Sequence, residues 1–243
     1  MSRGFFVTGT DTGVGKTIVA ATLARLLRHK GVNVGVMKPV TSGCRQEQGG
    51  LVSDDALLLC RAAGLVCNDD IAPYALREPL APAEAARLDG VLIDAERIRA
   101  CYDRLSATHD VVIVEGAGGL MVPLAEGLLI SDLIRTLELP LLVVARPGLG
   151  TVNHTLLTCC CARHLGLSVA GIIVNNYPQF PDLAEKGAPR QIEALSGAPL
   201  LGVWPHLDDS DQFAAVESLA SWLNGQPGTD VMLERLGVGH VFN

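Results

Sequence analysis

Aromatic residues are scarce in this chain, 4% of its 243 residues, and no basic run is interleaved with them. Lys and Arg number 19 against 26 Asp and Glu, a formal net charge of −7. A stacking platform or a phosphate-neutralising face needs what is missing here, so nucleic acid and anionic membrane are both set aside as main partners. The longest apolar runs are broken by charge or glycine, well short of the roughly 20 residues a membrane span requires. Internal repeats, low-complexity tracts and a clear linker are also lacking. The opening MSRGFF leads straight into an apolar strand pattern and a glycine loop, with no signal-peptide pattern. Seven cysteines, an odd number without paired spacing, suggest reduced thiols and a cytoplasmic protein. Cys159-Cys160-Cys161 suggests a metal cluster at first sight. Adjacent helical residues point about 100° apart, however, and cannot converge on one ion, so buried small residues on a packed helix are expected.

What is present is alternation. Short apolar runs predict strands at 5–10, 32–40, 111–119, 139–148, 169–176 and 198–207. Between and after them, helical patterns cover 17–31, 53–64 with Ser53 as cap, 94–109 and roughly 211–224. The segment from about 65 to 90 predicts loop with a short helix, and 226–243 is a tail without an assignable pattern. Continuous apolar runs ending in Gly, Arg or Asn fit strands buried on both faces. That predicts one α/β domain, spanning 1–225, with a mostly parallel central sheet flanked by helices. Ligands of such sheets sit outside the carboxyl ends of the strands.

The first strand ends in GTDTGVGKT, Gly9 to Thr17. Gly15-Lys16-Thr17 closes a phosphate-binding loop, although Thr10 stands where the common spelling has its first glycine. Backbone N–H groups and a helix N-terminus there form a concave anion site, Lys16 would reach the β/γ-phosphates, and the Thr17 hydroxyl would bind Mg²⁺. A second lysine, Lys38, stands at the end of the next apolar run, where it suits an anionic substrate or transition state. Glu115 ends a very apolar strand, where a carboxylate is costly unless paired or bound to metal. Magnesium favours a few carboxylates, a hydroxyl, waters and phosphate oxygens. Thr17, one aspartate and Glu115 would make such a set, with Asp54 and Asp55 as candidates that could equally be helix caps. In RPGLGTVNHT (146–155), Asn153 and His154 are either first-turn helix residues or part of a carboxylate-binding loop. In VNNYP (174–178), the two amides either read a base edge or end a strand.

FVTGTDTGVGKT, MKPVTSG, SDDAL, VEGAGG, GLGTVNHTLLT, AGIIVNN and PLLG occur in this order over about residues 5–207. Together they resemble the dethiobiotin synthetase family. The resemblance implies a P-loop NTPase-like fold, ATP as co-substrate, Mg²⁺, and the penultimate step of biotin synthesis, in which 7,8-diaminononanoate and CO₂ close to a cyclic urea. By position it implies that Gly13, Val14, Gly15, Lys16, Thr17 and Ile18 hold the nucleotide together with Asp55, Glu115, Gly116, Ala117 and Gly118. Adenine falls to Asn175, Asn176, Pro205, His206 and Leu207. Mg²⁺ falls to Thr17, Asp55 and Glu115, with Asp55 preferred over Asp54 because it precedes Ala-Leu. Lys16 and Lys38 are the catalytic cations, and Thr12 and Ser42 contact the amine or carbamate end of the substrate. The resemblance further implies a homodimer in which Gly150, Thr151, Val152 and Asn153 of the partner hold the substrate carboxylate.

Two rivals belong to other classes. A switch ATPase of the ParA/MinD kind would carry a second lysine early in the loop, where this chain has Asp11. An amide synthase of the cobyrinic acid type would need ammonia from a glutaminase domain, for which the chain has no room.

Overall fold

The computed structural model describes residues 4–207 and 211–239. Six strands form the central sheet: β1 (Gly4–Gly9), β2 (Val34–Met37), β3 (Val111–Glu115), β4 (Leu141–Ala145), β5 (Val169–Tyr177) and β6 (Leu200–Pro205). They lie in the order β6-β5-β4-β1-β3-β2, and every pairing is parallel. Successive residues on these strands feed opposite faces. Leu142 and Val144 of β4 join the main core, whereas Val143 and Ala145 join a second cluster with Ile172, Val174, Cys159 and Ile192. Burial on both faces is why the strands are apolar throughout rather than alternating.

The helices are α1 (Lys16–His29), α2 (Asp54–Ala63), α3 (Pro82–Asp89), α4 (Ala95–Thr108), α5 (Ile130–Leu137), α6 (Thr151–His164), α7 (Leu183–Leu195), α8 (Gln212–Asn224) and α9 (Thr229–Arg235). α1 packs on α2 and α8, α4 on α5, and α6 on α7. Ser53 caps α2 as expected, its hydroxyl accepting from the Ala56 N–H.

Three expectations need correction. The run 32–40 is not one strand, because β2 stops at Met37 and Val40–Thr41 pairs instead with Tyr74–Ala75 in a separate two-stranded sheet. Pro39 has no N–H for the ladder and constrains the residue before it, so the chain leaves the sheet at Lys38. The loop after Ser42 contains a hairpin, Arg45–Glu47 against Gly50–Val52. Of the three adjacent cysteines on α6 only Cys159 is buried; Cys160 is exposed, because a helix turning against the sheet presents successive residues to different surroundings. In the segment 226–243, α9 and the residues after it deliver Met232, Leu233, Leu236 and Val238 to the main core.

Candidate active site

Strand register assembles the site. Met37 lies beside Val114, which brings Lys38 alongside Glu115 at the carboxyl edge. Val7 lies beside Glu115, so the loop from Gly9 rises over the same edge. The two loops touch through their backbones, the Gly9 N–H donating to the Gly118 carbonyl at 3.3 Å. Gly15, at φ 90°, is the hinge into α1. A Cβ there would strike the side-chain amide of Asn175, so glycine is required both by the left-handed backbone and by the close approach.

Glu115 is buried at the end of β3 and is not left alone. Its Oε1 accepts from Lys38 Nζ at 2.6 Å and from the Thr17 hydroxyl at 2.8 Å. Lys38 Nζ also reaches Asp55 Oδ2 at 2.8 Å. Burial lifts the Glu115 carboxyl above the usual carboxylate range, against the pull of Lys38. Burial works against the Lys38 charge as well, but the Glu115 and Asp55 carboxylates together outweigh it and hold its pKa above the ordinary lysine value. Lys16 goes the other way. Burial depresses it, with Glu115 opposing, and its Nζ donates to the Asp11 carbonyl at 3.2 Å.

These groups line one cleft of about 340 Å³, together with Thr12, Gly13, Gly15, Ile18, Ser42, Gly116, Ala117 and Gly118. Val40, Thr41 and Gln212 line it too, none of them singled out in the sequence. Gln212 opens α8, far along the chain from the other lining residues. Asp54 points elsewhere. Arg45 of the hairpin grips it through Nε and Nη2, the latter at 2.7 Å. Asp11 is exposed, and its carboxylate accepts from the Thr12 N–H at 2.7 Å.

Thr17, Asp55 and Glu115 form a hard-oxygen donor set. Glu115 Oε2 is buried without a hydrogen-bond partner among the described residues, which fits a divalent cation. On β5, across β1 and β4 from Glu115, Asn175 donates from Nδ2 to the Val14 carbonyl at 3.1 Å, and its buried Oδ1 has no partner among the described residues. Asn176 follows with φ 58° and is exposed. Pro205 and Leu207 are half-buried and His206 is exposed at the end of β6, where the His206 N–H donates to the Tyr177 carbonyl. None of these residues lines the cleft that holds Lys38 and Glu115.

Gly150–Asn153 are not in the cleft either. α6 starts at Thr151, so Asn153 is its third residue rather than its cap, and Gly150 takes the cap position. Thr151 is buried with its hydroxyl unpartnered among the described residues.

A family model described as an AAA domain matches residues 3–214. The ATP-dependent dethiobiotin synthetase of Bacillus subtilis strain 168 is 42% identical over 236 residues, covering 97% of this chain and 100% of that protein. Its counterpart in Bacillus licheniformis is 46% identical over 208 residues, 86% of this chain and 88% of that protein. The chain belongs to the dethiobiotin synthetase family. The fold of this chain is also found among solved structures of low sequence identity. The septum site-determining protein MinD of Pyrococcus horikoshii, solved with Mg-ADP, superposes with a TM-score of 0.60 over 97% of this chain and 95% of that one. At 17% identity that likeness concerns the fold alone.

Proposed function

We propose that this chain closes a cyclic urea at the expense of ATP, converting 7,8-diaminononanoate and CO₂ to dethiobiotin, ADP and phosphate. The observation that carries the reading is the Lys38–Glu115–Asp55–Thr17 constellation beside the phosphate loop, in one cleft with Thr12 and Ser42. One amine takes up CO₂ as a carbamate, ATP phosphorylates the carbamate oxygen, and the second amine attacks the mixed anhydride and expels phosphate. Such chemistry asks for positioning and for cations around crowded oxygens, with no covalent enzyme intermediate.

Each residue has a part in this. Backbone N–H groups of Gly13–Thr17 and the N-terminus of α1 hold the phosphates. Lys16, buried at the start of α1, is the cation nearest to them, and Lys38 neutralises the carbamate and transferring oxygens. Thr12 and Ser42 orient the amine end. Thr17, Asp55 and Glu115 would hold Mg²⁺, which when bound supplies positive charge to the phosphate oxygens. The free Oδ1 of Asn175 can accept from the exocyclic amine of adenine, with Asn176 and the 205–207 backbone beside it.

The working unit is a homodimer in which Gly150–Asn153 of the second copy hold the substrate carboxylate. The absence of these residues from the cleft of their own chain supports this, as does the apolar surface around them, where Leu149 is 82% and Leu157 60% exposed. Mixing an inactive Lys38→Ala chain with an inactive Asn153→Ala chain should restore about a quarter of the activity, since random pairing rebuilds one site in each mixed dimer. No recovery would remove the shared site. For the reaction itself, ATP, Mg²⁺, bicarbonate and the diamine are incubated with the protein and dethiobiotin is sought by mass. ATP hydrolysis without a ureido product would overturn the assignment.

A further inference from the structure

Cys60 and Cys67 take no part in the chemistry above, yet the fold brings both to the wall of one cavity. α2 ends at Ala63, and Gly64 follows in the left-handed conformation with φ 67°. The Leu65 N–H then donates back to the Cys60 carbonyl at 2.8 Å, the turn that commonly closes a helix with glycine. This reversal folds the next residues back along the helix end, and Cys67 packs against the main core that contains Cys60. Both side chains line an open cavity of about 860 Å³ with Leu57, Leu65, Arg61 and Phe213, and each thiol shifts the titration of the other.

We infer that Cys60 and Cys67 form a reversible thiol–disulfide site, open to low-molecular-weight disulfides from the cavity side. The roles of the two sulfurs differ. Cys60 is buried and keeps its proton, its thiol pushed up by the hydrogen bond to Cys67 and by burial. Cys67 is half-buried and its thiol is lowered to about 7, first by the hydrogen bond from Cys60 and further by the Asn68 N–H, against burial and the charge of Asp69. The other charged groups around the cavity are Asp54, which is paired with Arg45, Asp211, and Arg61, whose guanidinium lies 3.8 Å from the centre of the Phe213 ring.

The Cys67 thiolate attacks one sulfur of a disulfide such as glutathione disulfide. A Cys67–glutathione bond forms, the old S–S bond breaks, and one glutathione thiolate leaves and takes up a proton. Cys60 then gives its proton to solvent and attacks the Cys67 sulfur, expelling the second glutathione. The protein loses two electrons and two protons, and the small disulfide becomes two thiols.

The test uses the whole chain carrying Cys160→Ser, which removes the exposed competitor on α6. After incubation with excess glutathione disulfide, digestion without reduction should show the Cys60 and Cys67 peptides joined, two hydrogens lighter than the separate thiols. Dithiothreitol should reverse it. Cys60→Ser should trap glutathione on Cys67, whereas Cys67→Ser should leave Cys60 free, and both variants should keep ATP-dependent turnover. Free Cys60 and Cys67 in the parent chain after this treatment would overturn the proposal, whatever the variants do, as would a glutathione adduct that stops at Cys67 while Cys60 remains a thiol.

Discussion

Asp54 and Asp55 are consecutive in the chain and bound to different cations: Arg45 holds Asp54, and Lys38 holds Asp55 at 2.8 Å. A rotation of about 100° per helical residue divides them, so that neighbours at the start of α2 point in different directions. Asp54 is on the solvent side, tied to the hairpin; Asp55 faces the cleft.

The division predicts unequal variants. Asp55→Asn should raise the Mg²⁺ concentration needed for half-maximal turnover by about tenfold or more, as loss of a ligand charge does. Asp54→Asn should leave it within about twofold, since an exposed ion pair contributes little. Equal effects of the two substitutions, measured by Mg²⁺ titration of ATP turnover, would refute the assignment.

Lys38→Ala should keep ATP binding and lower turnover by roughly 100-fold or more, the scale of losing one donor aimed at developing charge. The same change leaves Glu115 buried without its ammonium, so the variant should also be less stable to heat. Comparing the ATP dissociation constant with the rate of dethiobiotin formation checks the first point, and a melting curve the second.

Much of this is legible in the amino-acid sequence. The phosphate loop, Lys38 and Glu115 are chemically conspicuous because charge at the end of an apolar run stands out against its surroundings. The hairpin that occupies Asp54 was not legible, because Arg45–Glu47 is exposed and polar, without the alternation that betrays a half-buried strand. Gln212 was missed for another reason. Its place in the cleft depends on how α8 returns to α1, a packing that no local pattern encodes.

Gly15→Ala should abolish nucleotide binding while leaving the fold in place. The left-handed backbone strains any Cβ, and the Asn175 amide stands where that Cβ would go. Asn175→Ala should be milder. It removes the donor to the Val14 carbonyl and, on the adenine reading, should raise the KM for ATP by about tenfold with little change in kcat. An unchanged KM would remove Asn175 from base recognition.

Leu233→Ala tests whether α9 belongs to the domain. Leu233 is fully buried in the main core, so truncation should cost about 2–5 kcal/mol and lower Tm by several degrees. A Tm within a degree of the parent would show that the helix is dispensable.

Thiol reactivity should separate by pH. Alkylation of Cys67 should rise with a midpoint near its value of about 7, because the thiolate forms as pH passes upward through it. Burial pushes Cys159 up to about 11, so that thiol should stay inert across the same range. Peptide mapping after a brief iodoacetamide pulse at several pH values distinguishes them.

The bonds that make the cleft and hold the loop beside it join distant parts of the chain: Thr17 to Glu115 across 98 positions, Lys38 to Glu115 across 77, Asn175 to Val14 across 161. No fragment of the polypeptide therefore owns a usable half of the site, and nucleotide affinity arises only once the middle of the sheet has assembled. Nucleotide is for that reason a ligand of the native state alone. At a hundred times its dissociation constant it should deepen the folded minimum by about 2.7 kcal/mol, so that the availability of ATP sets how much of the protein survives as well as how fast it works.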